Sequence, residues 1–141
     1  MLYAAERIIM TRSTIREHIF KILFRVEFHE GHELDEQTRF YMEEIPGIKN
    51  DDIKYISDKV MAIAELLPEI DEKIEAVSEG WPIARLGKAE LTIMRLAVYE
   101  MLYDDDIPVN VALNEAVELA KKYGADNAPS FINGVLAKIV K

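Results

Sequence analysis

The stretch from Lys88 to Lys141 constrains the fold of this chain most, because it contains three segments with helical periodicity. In each segment apolar side chains recur every three or four residues, which places them on one face of an α-helix. These positions are Leu91, Met94, Leu96, Ala97, Met101 and Leu102, then Ala112, Ala116, Leu119, Ala120 and Tyr123, then Phe131, Ile132, Val135, Leu136 and Ile139. Helices that are apolar on one side are not stable alone, so we expect the three to pack together.

The rest of the chain predicts more helices from the same periodicity, over residues 11–29, 35–45, 50–67 and 68–78. The stretch between the first two contains Gly31 and many polar residues, and it predicts a polar turn. Gly80-Trp81-Pro82 interrupts the pattern and indicates a junction between two halves. We therefore predict an all-α fold of two packed helical subdomains, residues 1–80 and 81–141.

Charge is distributed unevenly along the chain, whose net charge is −9. Residues 30–79 contain 15 acidic and 5 basic residues, whereas the remainder contains 11 acidic and 12 basic residues. The segment 7–25 is basic, with Glu17 as its one acid among Arg7, Arg12, Arg16, Lys21 and Arg25. A small basic end on an acidic body is therefore expected, and it keeps nucleic-acid binding open despite the overall charge.

The location of the protein is predicted from what the sequence lacks. No apolar run approaches the roughly 18 residues of a membrane span, and the N-terminus does not have the layout of a secretory signal. The chain contains no cysteine, which fits a reducing compartment. We expect a cytoplasmic protein without a membrane partner.

The predicted first helix has two interpretations. Arg12 and Arg16 lie one turn apart at the edge of the apolar stripe, and Lys21 and Arg25 lie on the opposite face. Phe24 belongs to an aromatic stripe between these two faces. Composition favours solvated arginines and core phenylalanines. The alternative is a phosphate-contacting edge beside an aromatic ring that stacks on a base, as in single-stranded RNA recognition.

Catalytic and metal sites are not indicated. His29 and His32 have the wrong spacing for the His-Glu-x-x-His zinc motif, and Gly31 disfavours a helix that would align them. The sequence has no Gly-rich phosphate loop and no nucleophile elbow. We therefore predict a helical binding module with no catalytic residue, no metal and no cofactor.

Local sequence also predicts details of the last two helices. Lys121 and Lys122 suit the C-terminal end of a helix, with Gly124 as a left-handed cap. Asn127 precedes Ala128-Pro129 as an N-cap would. Gly134 lies inside a helix at a cost of about 1 kcal/mol relative to Ala, which predicts close packing against a neighbouring helix.

Several blocks of the sequence, in order, resemble the NusB family of bacterial transcription antitermination factors. The blocks are Trp81-Pro-Ile-Ala-Arg-Leu-Gly-Lys-Ala-Glu90-Leu-Thr-Ile-Met-Arg95-Leu-Ala-Val-Tyr99-Glu100-Met-Leu, Ile107-Pro108, Asn114-Glu115-Ala116-Val-Glu-Leu-Ala-Lys-Lys-Tyr-Gly124 and Phe131-Ile-Asn133-Gly134-Val-Leu. The N-terminal resemblance is thinner and is carried by Arg16-Glu17, Lys21 and Phe24.

This resemblance implies a compact NusB-like helical bundle that binds boxA-type single-stranded RNA together with NusE, a ribosomal protein. It also implies that the complex joins RNA polymerase elongation complexes with other Nus factors. The RNA-binding residues that it implies are Arg12, Arg16, Lys21, Phe24, Asn127 and Phe131. Glu90 matches a family position that meets NusE.

Two departures from the family pattern bear on RNA affinity. Ser13-Thr14-Ile15 separates two arginines where relatives often have adjacent basic residues, and Phe24 replaces a frequent tyrosine. Two alternative functions stay open: an RNA-binding domain related to ribosomal RNA cytosine methyltransferases, and a helical protein adaptor without RNA contact. The first would need an α/β cofactor-binding domain, for which the chain is expected to be too short. A homodimer is also compatible with the apolar first helix.

Overall fold

The computed structural model describes residues 10–25, 31–78 and 83–140. Within these ranges the chain forms helices and no strand, which confirms the all-α prediction. The α-helices are α1 Arg12–Arg25, α2 Gly31–Glu43, α3 Asn50–Glu65, α4 Leu67–Val77, α5 Lys88–Leu102, α6 Val109–Tyr123 and α7 Ala128–Val140, with a short 3₁₀ helix at Ile83–Arg85. None of the helices in the described ranges has the length and apolar character needed to cross a membrane.

The chain divides into two compact units, which meet in sequence between Ala64 and Glu65. The predicted junction at Gly80-Trp81-Pro82 lies outside the described residues. The observed division falls earlier because α4 packs on α5 and α7, so it belongs with the C-terminal helices.

In the N-terminal unit, helix α1 begins with a capped first turn. The Thr14 amide donates to the Thr11 hydroxyl oxygen at 3.1 Å, which satisfies one of the backbone donors that a helix start leaves unpaired. Helix α2 begins at Gly31, so the prediction of a polar turn there was wrong over the start of this helix. Glycine is tolerated at this terminal position because it does not interrupt an established helix.

The buried faces of α2 and α3 follow helical spacing. Leu34, Thr38 and Met42 recur every four residues along α2 and are almost fully buried. The Thr38 hydroxyl donates to the Leu34 carbonyl oxygen at 2.7 Å, which satisfies this polar group within its own helix. On α3, Ile56, Val60 and Ile63 have no exposed surface.

Helix α5 is the centre of the C-terminal unit, because α4, α6 and α7 all pack on it. Its burial extends beyond a single stripe: Ile93 and Val98, which were not among the predicted core positions, have no exposed surface. Leu102, predicted as a core position, is 40 % exposed because it is the last residue of the helix. A central helix with neighbours on several sides needs apolar residues around most of its circumference.

An ion pair ties α5 to α4. The Arg95 guanidinium donates from Nε and Nη2 to the two carboxylate oxygens of Asp71, each at 2.8 Å. Both side chains are largely buried, with 17 % and 25 % of their surfaces exposed. A bidentate pair of this kind fixes orientation as well as distance, so it sets the angle at which α4 meets the central helix.

Candidate nucleic-acid interface

One face of α1 presents two cations and an aromatic ring. Lys21, Phe24 and Arg25 lie within about 100° of each other on the helical wheel, and we call them the α1 basic face. The side chain of Lys21 is 44 % exposed, Phe24 is 37 % exposed, and Arg25 is also exposed. Cations and an accessible ring are the groups that bind the phosphates and bases of single-stranded nucleic acid.

The exposed ring of Phe24 lies next to a buried ring of the same helix. Its ring centroid lies 5.9 Å from that of Phe20 in a tilted arrangement, and Phe20 is 2 % exposed. Contact with a buried ring restricts the rotamers of Phe24 and so reduces the entropy that it would lose on stacking against a base.

Arg25 was not among the predicted site residues. Its guanidinium carbon lies 5.2 Å from the centroid of the Tyr41 ring on α2, and this contact restricts the position of the exposed cation. Burial raises the pKa of the Tyr41 hydroxyl, and the positive charge of Arg25 opposes that shift. The signal in the sequence was the four-residue spacing between Lys21 and Arg25, which places both on one face.

The two predicted arginines at the start of α1 differ in accessibility. Arg12 is exposed in the first turn, whereas Arg16 is only 5 % exposed and interacts within the protein. A guanidinium in that position cannot reach a phosphate without leaving its place. The periodicity had put Arg16 at the edge of the apolar stripe, but its long side chain allows it to be covered there. Its burial favours a structural role.

Lys21 and His18 complete the polar environment of α1. Lys21 Nζ lies 4.0 Å from a carboxylate oxygen of Glu17, one turn earlier. His18 Nδ1 lies 2.7 Å from the Tyr41 hydroxyl oxygen on α2. Desolvation lowers the pKa of His18 below its usual 6.5, and the positive charge of Lys21 acts in the same direction.

In the C-terminal unit the candidate residues lie at the turn between α6 and α7. Asn127 is exposed and immediately precedes α7, the position expected of an N-cap residue. The Phe131 amide donates to the Asn127 carbonyl oxygen at 3.1 Å, and the Phe131 side chain is half-buried one turn into the helix. The backbone thus joins these two candidates directly.

Gly124, at the start of this turn, is required for space. Its φ of −95° and ψ of 176° are extended, so the prediction of a left-handed cap was wrong. A Cβ atom at this position would lie 2.6 Å from the Cβ of Ala128 and 3.0 Å from the Ala120 carbonyl oxygen. The absence of a side chain therefore allows the start of α7 to approach the end of α6.

Gly134 does not have the packing role predicted for it. It is exposed, and a Cβ atom added there would meet no atom within 4 Å. The expectation of close packing against a neighbouring helix was wrong, because this position faces away from the helices that pack on α7.

Glu90, predicted to meet a protein partner, contacts the α6–α7 turn. The Ala125 amide donates to Glu90 Oε2 at 3.0 Å, so the first turn of α5 reaches the loop that leads to Asn127. The structure therefore brings Glu90 and Asn127 to one region of the C-terminal unit. The four α1 candidates belong to the N-terminal unit.

The two histidines considered for a metal site lie in a segment that the structure describes only in part. His29 and the side chain of His32 lie outside the described residues. Elsewhere in the described ranges, no group of three or more histidine, aspartate or glutamate side chains is placed to hold a metal ion.

Sequence and structure comparisons with known proteins all identify NusB proteins as similar to this chain. The model of the NusB family matches residues 13–141. The transcription antitermination protein NusB of Lachnoclostridium phytofermentans is 50 % identical over 131 residues, which cover 93 % of this chain and 99 % of that protein. The structure of T. maritima NusB superposes with a TM-score of 0.85 at 32 % identity, over 94 % of this chain and 92 % of that one.

A second similar structure is a protein–RNA complex. It contains the antitermination factors NusB and NusE in complex with double-stranded RNA, and its matching chain is 30 % identical to this one with a TM-score of 0.75. The match covers 92 % of this chain and 95 % of that one. With a family match over almost the whole length and relatives at 50 % identity, the chain belongs to the NusB family.

Proposed function

We propose that this protein is a non-catalytic transcription antitermination factor that binds boxA-type single-stranded RNA together with NusE and joins RNA polymerase elongation complexes. The names of its relatives support the antitermination role, and the likeness to a complex of NusB and NusE with double-stranded RNA supports NusE and RNA as partners. The α1 basic face is the observation in this chain that carries the proposal, because it combines accessible cations with an anchored, accessible ring.

RNA contact at α1 would divide between charge and stacking. Lys21 and Arg25 would bind phosphates, and Phe24 on the same face would stack on a base. Arg12 would add a further cation at the start of the helix. Arg16 is buried, so we assign it to the stability of α1 and not to phosphate contact. Aromatic stacking tolerates different bases, so this face alone would supply affinity more than sequence preference.

The α6–α7 turn would supply the second RNA contact. The exposed amide of Asn127 carries donors and an acceptor that can bond base edges, and Phe131 lies one turn beyond it. Amide side chains can discriminate between bases through paired hydrogen bonds, which lysine and arginine on phosphates cannot do. Sequence preference for boxA would therefore depend on this turn more than on α1.

The acidic segment between residues 30 and 79 would limit where RNA docks. It contains 15 acidic and 5 basic residues, and a surface with that balance repels a phosphate backbone. Productive contact would then be confined to the basic α1 face and to the turn. Because few cations are available, we expect RNA alone to bind weakly and NusE to complete the site.

A titration of fluorescent boxA-like RNA with the full chain tests this proposal, with and without NusE and over a range of salt concentrations. We expect salt-sensitive binding that is tighter with NusE and weaker for an RNA of the same composition in scrambled order. Equal affinity for the two RNAs in the presence of NusE would contradict a boxA-binding function.

A helical adaptor is the second candidate, and the burial of Arg16 is the observation that favours it, because it leaves fewer cations for RNA. An adaptor would bind NusE with no change in affinity when RNA is added. The proposed function predicts instead that RNA and NusE strengthen each other's binding, as thermodynamic linkage requires when both stabilise the same complex.

A further inference from the structure

The carboxylate of Glu90 lies at the α6–α7 turn, although it belongs to the first turn of α5. We propose that Glu90 is a positioning residue for RNA binding: it fixes the turn that carries Asn127 and need not touch RNA itself. This inference rests on the proposed function, since it assumes that the turn contacts RNA. It concerns the geometry of the site and adds a role for Glu90 within the chain to the expected contact with NusE.

The turn needs an acceptor at this point. The Gly124 amide donates to the Ala120 carbonyl oxygen at 2.9 Å and ends the hydrogen-bond series of α6. The next amide, that of Ala125, lies beyond the helix, and Glu90 Oε2 accepts from it at 3.0 Å. A bond between a backbone amide and an ionised carboxylate is stronger than one between neutral groups.

Both backbone polar groups of Ala125 are hydrogen-bonded. Its carbonyl oxygen accepts from the amide of Ala128, the first residue of α7, at 2.9 Å. Glu90 therefore fixes one end of a short segment whose other end is fixed by the helix start. Asn127 lies inside that segment, so its direction depends on both bonds.

Two glycines leave room for the carboxylate. A Cβ atom at Gly124 would lie 3.1 Å from Glu90 Oε2, and a Cβ atom at Gly87 would collide with Glu90 Oε1. Side chains at either position would displace the carboxylate from the Ala125 amide. The space around Glu90 thus comes from both ends of the contact, the start of α5 and the end of α6.

The charge of Glu90 provides a test, because the two possible roles predict opposite changes of RNA affinity in Glu90→Ala. Removing a carboxylate near an RNA site reduces repulsion of phosphates, so a Glu90 without a positioning role predicts equal or tighter RNA binding in Glu90→Ala. A positioning role predicts weaker binding, because the turn would sample more conformations and lose entropy on binding. The two expectations have opposite signs.

The experiment combines hydrogen exchange of the free full-length protein with RNA titration in the absence of NusE. In Glu90→Ala we expect the Ala125 amide to exchange about tenfold faster, while the Gly124 amide is unchanged, and boxA-like RNA to bind about tenfold more weakly. Glu90→Gln retains an acceptor oxygen and should stay within about threefold of the wild type in both measurements. Glu72→Ala removes an exposed acid of α4 and should not weaken RNA binding.

Unchanged exchange at Ala125 in Glu90→Ala, or RNA affinity equal to or above that of the wild type, would overturn the proposal. If the wild type binds no boxA-like RNA even with NusE, the proposed function fails and the RNA role of Glu90 fails with it. The exchange measurement would still decide whether Glu90 fixes the turn, so the two failures are distinguishable.

Discussion

The α1 basic face and the α6–α7 turn are both proposed to bind RNA, but different features of the molecule determine their geometry. On α1, a regular helix projects Lys21, Phe24 and Arg25 from one side, and accessibility decides which residues can act. At the turn, the Ala125 amide bonds to the Glu90 side chain instead of a helix carbonyl, and Gly124 leaves space for the approach of α7. We therefore expect the fold of α1 to tolerate substitutions at its exposed positions, whereas the conformation of the turn should depend on Glu90 and Gly124, which need not contact RNA.

The sharpest contrast within α1 is between its two N-terminal arginines. Arg16→Ala should lower the free energy of unfolding by about 2–3 kcal/mol, because it removes a buried group and leaves its interaction partners without compensation. Arg12→Ala should change it by less than about 0.5 kcal/mol, since Arg12 is exposed. Urea unfolding of both variants measures this. Equal stability of the two variants would contradict the structural role of Arg16.

Two glycine substitutions test the turn against an open helix surface. Gly124→Ala should destabilise the protein by about 1–3 kcal/mol, because the new methyl group meets Ala128 and the Ala120 carbonyl oxygen. Gly134→Ala should stabilise it by about 0.5–1 kcal/mol, since alanine has the higher helix propensity and the position is open. Thermal unfolding of the pair provides the measurement. A stabilising Gly124→Ala would show that α6 and α7 do not need this close approach.

Substitution of Phe24 tests the role of the aromatic ring on the α1 basic face. Phe24→Ala should weaken binding of boxA-like RNA by about 1–2 kcal/mol through the loss of base stacking. Phe40→Ala is the matched control, because Phe40 is also exposed, at 51 %, but lies on α2 outside the basic face. Fluorescence titration of the two variants is the check. Equal losses would mean that the ring of Phe24 has no specific place in the interface.

The contact between His18 and Tyr41 predicts a smaller, pH-dependent effect on the N-terminal unit. Burial keeps the pKa of His18 below 6.5 in the folded protein, so the unfolded chain takes up this proton first as the pH falls. Stability from this residue is complete above pH 6.5 and is lost as the pH falls towards the folded-state pKa.

Urea unfolding at about pH 7.5 and about pH 5.5 measures the effect. The wild type should lose more stability between these two conditions than His18→Asn, which removes the titrating group and retains a polar side chain. An identical loss in both proteins would assign the pH dependence to other groups.

Periodicity predicted the helices well because burial of one face is a property of spacing alone. It identified α5, α6 and α7 and most of their buried positions, such as Ala116 and Leu136. It could not predict that Arg16 would be covered, because a position at the edge of a stripe is buried or exposed according to its neighbours in space. The Glu90 contact with Ala125 joins residues 35 apart in sequence, and no local pattern encodes it.

The candidate residues on α1 also show that sequence spacing alone does not identify a binding residue. The resemblance to the NusB family supplied Lys21 and Phe24, and the structure places both on an exposed face. Arg25 lies on that face as well but was missed, since its spacing to Lys21 alone is equally typical of a solvated helix surface. Only the position of its guanidinium over Tyr41 on another helix distinguishes it.

The salt dependence of RNA affinity is the most direct test of an RNA site on the α1 basic face. The double variant Lys21→Ala with Arg25→Ala should bind boxA-like RNA more weakly, and each lost phosphate contact should reduce the slope of log affinity against log salt by about 0.7. Lys49→Ala with Lys73→Ala makes the same change in net charge at two exposed lysines outside α1, and it should leave the slope close to that of the wild type. Equal reductions of slope in the two double variants would contradict an RNA site on the α1 basic face, because the effect would then follow from overall charge.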